Sequence, residues 1–388
     1  MKKFSEYNNN DMVRVCPHLQ HGSCFQLSGF HACCLGTTMS IPLVTTQEIL
    51  DGKISYNLIL ERRKELFEKI NNNDKTAGAC LTCTHIRTIP FKDLNFENIG
   101  GSPLPSGFNI QHYTACNERC SYCCYAQNND FKKPQYDILK IMDLFKEKGK
   151  LKGNNWIDFS GGEPAILKDF EDILTYFDEN NMGTVVVYTN ASIYSQKIYD
   201  LLKEDKIILT TSVDTGLKST YAKIRGLDVF PTVFENLLKY RASGTHNMWL
   251  KYVVTEENRT EDDLYSFIST MVALRPDKIM VCPDFPYGDK QIPKETVDFI
   301  AKLWCECEKF LGIKMVDFTS EYGDPKFISY HTDLAIAIDI YKKNHPYTKA
   351  CMAPPLAYNV SQRKKKFNYK LRLKQLLPKL KNIIKMSV

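Results

Sequence analysis

The sequence predicts an α/β fold on parallel strands preceded by a small cysteine-rich domain, and three observations carry that prediction. From residue 108 onward, short runs rich in Val, Ile, Phe and Thr alternate with segments of helical periodicity. The alternation recurs at the spacing that right-handed crossovers between parallel strands require. Ahead of it lie Cys16, Cys24, Cys33, Cys34, Cys80 and Cys83, set apart by the Gly- and Pro-rich stretch 98–107.

The first strand spans 108–113 and is followed by a helix at 134–148. The second pair is 156–160 with 165–180. Residues 184–189, Thr-Val-Val-Val-Tyr-Thr, form the clearest strand and lead to a helix at 195–204. Strands at 207–212, 249–254 and 278–282 are followed by helices at 230–243, 262–274 and 293–311. A doubly wound sheet and a partial or full barrel both fit this series, and periodicity leaves the two open. In the linker 98–107, Gly and Pro bar a helix or a central strand. Before it, 23–27 and 30–34 read as a hairpin around Ser28-Gly29, and 48–52 and 56–70 as helices.

Apolar residues make up 43% and charged residues 25% of the 388, the balance of a globular protein. The N-terminal residues lack the apolar core of a secretory signal, and no apolar run reaches the roughly 18–20 residues needed to cross a bilayer. The expectation is a cytoplasmic protein. Charge is uneven: ten Lys or Arg and no acid lie between Arg363 and Lys385, and taking ten from the net +6 leaves −4 for the rest. A nucleic-acid partner is therefore not expected. In the tail, Leu373, Leu376, Leu377, Leu380, Ile383 and Ile384 recur at helical spacing among lysines, interrupted by Pro378. This reads as a basic amphipathic segment suited to peripheral contact with an anionic membrane, or as a solvated tail.

Fourteen cysteines without a leader point to metal rather than disulfides. Cys116-x3-Cys120-x2-Cys123 follows directly from the first strand of the series. Three thiolates from one loop can hold three irons of a [4Fe–4S] cube and leave the fourth open. Cys124 is poorly placed to close it because it adjoins Cys123. Zinc, with His112 as a fourth ligand, is the alternative.

These residues resemble the signature of the radical SAM superfamily, CxxxCxΦC, with Tyr122 at the aromatic position. The resemblance covers roughly 106–311 and extends to Gly161-Gly162-Glu163-Pro164 after the second strand, which resembles the family's GGEP element. Further polar residues fall at strand ends. The resemblance places Ser212 and Asp214, and less firmly Asn190, on the ribose and methionyl groups of S-adenosylmethionine (SAM). Ile224-Arg225-Gly226 resembles an "iRG" element of relatives with additional clusters. The implied fold is a partial, TIM-like (βα)6 barrel. The implied chemistry is one-electron reduction of SAM at the open iron, yielding methionine and a 5′-deoxyadenosyl radical that abstracts hydrogen from substrate. A flavodoxin- or ferredoxin-type donor would supply the electron.

The order Cys16, a hairpin ending in Cys33-Cys34, a helical stretch and Cys80-x2-Cys83 resembles the SPASM or twitch type of auxiliary domain, here placed before the barrel rather than after it. It implies a second [4Fe–4S] cluster on Cys16, one of Cys33 and Cys34, Cys80 and Cys83, with zinc on the same ligands as the alternative. The expected domains are 1–97 for this segment, 106–311 for the barrel, 312–360 for an extension and 361–388 for the basic tail. Cys305 and Cys307 read as packing residues and Cys282 as core, while Cys351 is balanced between a structural and a catalytic role. The functional expectation is a radical SAM enzyme acting on a cell-envelope saccharide precursor. Ribosomal peptide or protein modification is the alternative, and a non-catalytic iron–sulfur carrier or sensor is the rival of another class.

Overall fold

The strand–helix alternation is present strand for strand. The structure, a computed structural model, describes residues 2–33, 41–97, 107–151, 155–284, 291–322 and 327–347. Its strands are β1 (Met12–Val15), β2 (Ser23–Gln26), β3 (Gly29–His31), β4 (Pro42–Thr45), β5 (Arg87–Pro90), β6 (Phe108–Gln111), β7 (Trp156–Phe159), β8 (Thr184–Tyr188), β9 (Ile207–Ser212), β10 (Met248–Val254), β11 (Lys278–Pro283) and β12 (Val316–Asp317). Two compact units divide the chain, Met1–Asn117 with Asn129–Tyr188, and Glu118–Asn128 with Thr189–Val388.

In the first unit, β2, β6, β7 and β8 are successive parallel neighbours, and β3 and β4 continue from β2 antiparallel. β1 and β5 form a separate antiparallel pair. The hairpin read from the sequence thus gains a third strand, β4, and its β2 aligns with the barrel series, Cys24 opposite Asn109. All four residues of β2 are buried, as a strand covered on both faces requires. The helix Ile138–Glu147 is capped by Asp137 and buries Ile138, Ile141, Met142 and Phe145; Phe170–Glu179 buries Phe170, Ile173, Leu174 and Phe177. Both show the i, i+3, i+4 stripe that fixes which face meets the sheet.

In the second unit, β9, β10, β11 and β12 are parallel and follow in chain order. Sequential order in both units is that of a TIM-like partial barrel, whereas a doubly wound sheet reverses at a switch point. The fold is α/β, as expected. Cys282, Cys305 and Cys307 are all buried, in keeping with packing roles. No helix among the described residues is long and apolar enough to cross a membrane. Cys34, Cys351 and the tail 361–388 lie outside the described residues.

Besides short helices of four or five residues, two longer ones escaped the sequence reading. Lys218–Arg225 is short and polar, with only Tyr221 and Ile224 as buried apolar residues. Ile328–Asn344 buries Tyr330 and Leu334 while exposing Ile328, Ile336 and Ile340, so its apolar residues do not form one stripe.

Candidate functional site

In the first unit, the chain leaves β6 through Tyr113, Thr114 and Ala115 toward Cys116. The Gly161-Gly162 turn lies directly on this exit. Gly161 has φ +103°, and a Cβ on it would stand 2.7 Å from the Tyr113 carbonyl oxygen. A Cβ on Gly162 would overlap the carbonyl oxygen of Ala115, which also accepts the Glu163 N–H at 2.9 Å. Both glycines are required by close passage of two backbones. Glu163 is buried and caps the turn Pro164–Ile166, its Oε1 accepting the Ala165 N–H at 3.0 Å.

In the second unit, two backbone bonds pin the cysteine loop to the end of the helix Lys218–Arg225. Arg119 donates to the Arg225 carbonyl at 2.8 Å and Ser121 to that of Ile224 at 2.7 Å. Gly226 ends this helix in the left-handed region at φ +68°, and a Cβ there would stand 2.9 Å from Cβ and O of Arg119. Cys120 is buried, which pushes its thiol up to about 12. Cys123 precedes the short helix Cys124–Gln127. The Cys124 thiol and the amides of Ala126 and Tyr125 hold it down to about 6.

Around Cys120 lies a buried charge network. Arg225 Nη1 donates to Cys120 Sγ at 3.4 Å, and Nη2 pairs with Asp214 Oδ2 at 2.6 Å and reaches the Ser212 carbonyl. Glu118 Oε2 stands 3.6 Å from Arg225 and accepts from Cys120 Sγ at 3.7 Å, while Oε1 accepts the Tyr221 hydroxyl at 2.9 Å. Tyr122 donates its hydroxyl to Asp214 at 2.9 Å, with its ring 5.4 Å from the guanidinium. Burial works against the Arg225 charge, but Asp214, Tyr122, Cys120 and Glu118 outweigh it and hold the cation well above its usual range. Burial raises the Glu118 carboxyl in spite of Arg225.

The residues expected to meet SAM have these partners within the protein. Asp214 is fully buried, one oxygen on Arg225 and Tyr122 and the other on the Val253 N–H at 2.8 Å. Ser212 offers its carbonyl to Arg225. Asn190 Oδ1 caps the following turn through the Ser192 N–H and hydroxyl at 2.9 and 2.7 Å. Glu118 and Tyr221 were not singled out from the sequence. The available signal was Tyr221 four residues before Arg225, one turn apart on a helix.

Among the N-terminal cysteines, Cys16, Cys80 and Cys83 are close enough for Cys83 and Cys80 to act on the Cys16 thiol, which burial raises to about 11. Cys16 caps the helix Pro17–His21, its sulfur accepting the Leu19 N–H at 3.3 Å. Cys33 neighbours Cys24, whose thiol burial raises. Among the described residues, no three His, Cys, Asp or Glu side chains close on a single ion. A four-iron cube takes its thiolates at separate corners, farther apart than ligands of one ion.

Residues 110–268 match the family model described as the Radical SAM superfamily. That match lies over the β6–β10 series and covers less than half of the chain. The chain is 27% identical over 158 residues to the GTP 3′,8-cyclase of Clostridium botulinum, 40% of this chain and 49% of that one. It is 25% identical over 190 residues to a probable GTP 3′,8-cyclase of Saccharolobus islandicus, 48% of this chain and 59% of that one. The chain thus spans about half the length of the curated relatives it matches. Among solved structures, Streptococcus suis SuiB bound to precursor peptide SuiA aligns at a TM-score of 0.47 and 15% identity, over 74% of this chain and 63% of that one. Native anSMEcpe with bound AdoMet and Cp18Cys peptide aligns at 0.44 and 16%, over 54% and 62%. The radical SAM family uses a [4Fe–4S] cluster with SAM. The donor set here fits that group: three thiols on one loop, one of them buried beside a guanidinium and another acidified.

Proposed function

We propose that the chain is an enzyme that reductively cleaves SAM at a [4Fe–4S] cluster held by Cys116, Cys120 and Cys123. The observation that carries this reading is the family match over 110–268, which spans the three cysteines and the Gly161–Pro164 turn. The chemistry a bound cluster supplies is one electron to SAM, giving methionine and a 5′-deoxyadenosyl radical for hydrogen abstraction. The chain's own residues hold that chemistry in place. Arg225 and Ile224 fix the loop through their carbonyls, Asp214 and Glu118 fix Arg225, and Gly161-Gly162 fix the approach to Cys116. A non-catalytic carrier, the rival reading, has no use for a SAM pocket, which the GGEP-like element Gly161–Pro164 supports.

Cys16, Cys80 and Cys83 are proposed to hold a second [4Fe–4S] cluster, with Cys33 or Cys34 completing it. The mutual influence of the three thiols supports this. A flavodoxin- or ferredoxin-type protein is the proposed electron donor. The proposed substrate is a cell-envelope saccharide precursor, supported by the basic amphipathic sequence of 361–388. The test of the enzymatic reading is anaerobic incubation of reconstituted protein with SAM, dithionite and candidate glycosylated lipid precursors. Formation of 5′-deoxyadenosine that depends on Cys120 is expected. Loaded protein that yields none with any of them sinks the saccharide reading.

A further inference from the structure

Arg225 stands out among the charged side chains of the second unit because it is a buried cation hydrogen-bonded to a cysteine sulfur. Its Nη1 lies 3.4 Å from Cys120 Sγ in a buried setting, where screening by water is weak. Two carboxylates hold the guanidinium in that position, Asp214 at 2.6 Å and Glu118 at 3.6 Å. The rings of Tyr122 and Tyr221 flank it at 5.4 and 5.7 Å. Anchoring the loop does not need this side chain. The bonds that tie Arg119 and Ser121 to residues 225 and 224 run through backbone carbonyls, and Gly226 supplies the close fit. Beyond its bonds to Asp214 and the Ser212 carbonyl, the guanidinium thus places an N–H and its charge on the sulfur itself.

We infer that Arg225 is a positioning residue that raises the reduction potential of the cluster Cys120 helps to hold. The inference rests on the proposed ligand role of Cys116, Cys120 and Cys123. A cysteinate sulfur gains electron density when a cluster accepts an electron from a low-potential donor. An N–H bond and a positive charge at that sulfur stabilise the reduced form more than the oxidised one. One electron enters and no bond to the protein is made or broken, so the whole effect is on the equilibrium.

The experiment is a dithionite titration of reconstituted holoprotein, with the EPR signal that responds to added SAM followed against potential. In R225M the midpoint should fall, so that at fixed potential the reduced fraction drops about tenfold, equivalent to about 59 mV for a one-electron couple. R225K keeps the charge but lacks the fork that spans Asp214 and Cys120 together, and its midpoint should fall by less. If R225M does not load a cluster, R225K decides, and a midpoint at or above that of wild type overturns the inference. A loaded R225M with the wild-type midpoint overturns it as well. Absence of any SAM-responsive signal in the wild type is a different failure. It would remove the ligand reading, and this inference with it.

Discussion

At Gly162 an added methyl would occupy the space of the Ala115 carbonyl oxygen, so the backbone must part or the turn must shift. Gly162→Ala should lower stability by about 2–3 kcal/mol, the cost of overpacking a tight contact, and should weaken SAM binding because the turn borders Cys116. Chemical denaturation checks the first effect, and a variant within about 0.5 kcal/mol of wild type would contradict the packing argument. The sequence marks positions 161–164 by their resemblance to the GGEP element. Only coordinates reveal that its glycines are needed where two backbones pass. Asp214 shows the same limit: its position at a strand end marks it as a polar group at the site, and its carboxylate meets Arg225, Tyr122 and Val253. Strand-end position is legible in a sequence; the partner a buried charge selects from a distant helix is not.

Among the elements, the helix Tyr56–Asn71 carries an unexpected burden. It buries Ile59, Leu66, Phe67 and Ile70 on one stripe, with Arg63 in the middle of that stripe and fully buried. Arg63 donates to the carbonyls of Leu19 and Gly22, both at 2.5 Å, and so closes the end of the short helix that Cys16 begins. Burial lowers its guanidinium to about 10. Arg63→Met should cost about 2 kcal/mol, because two buried carbonyls lose a charged donor. If Cys16, Cys80 and Cys83 hold a cluster, the same change should lower iron in that segment while sparing the SAM-responsive signal. Equal loss of both, or of neither, would contradict the assignment. The helix itself was plain from its periodicity. The arginine inside its apolar stripe and the alignment of β2 with β6 were not, because neither local pattern nor propensity encodes a partner 41 or 85 residues away.

Across the whole molecule, two buried histidines couple folding to pH. Burial lowers both His31 and His112 to about 4, against about 6.5 in an unfolded chain. Between those values the unfolded chain binds protons that the folded one refuses, so stability falls as pH drops from about 6.5 to about 4 and is level above that window. The loss is at most about 3 kcal/mol per histidine. Urea midpoints at pH 7 and pH 5 should differ accordingly, and His31→Phe should flatten the slope. A pH-independent midpoint would contradict the burial argument. Parallel α/β architecture was readable at this scale, since each strand and crossover helix announces itself locally and the handedness rule does the rest. The charge network at Cys120 was not, because it assembles Glu118, Asp214 and Arg225 from three separate segments. The central claim is an open iron at the Cys116–Cys120–Cys123 loop, and EPR of the dithionite-reduced protein with and without SAM tests it most directly. A [4Fe–4S]+ signal that shifts on adding SAM and disappears in Cys120→Ala is the expected result. A signal indifferent to SAM, or one that survives unchanged in Cys120→Ala, would contradict it.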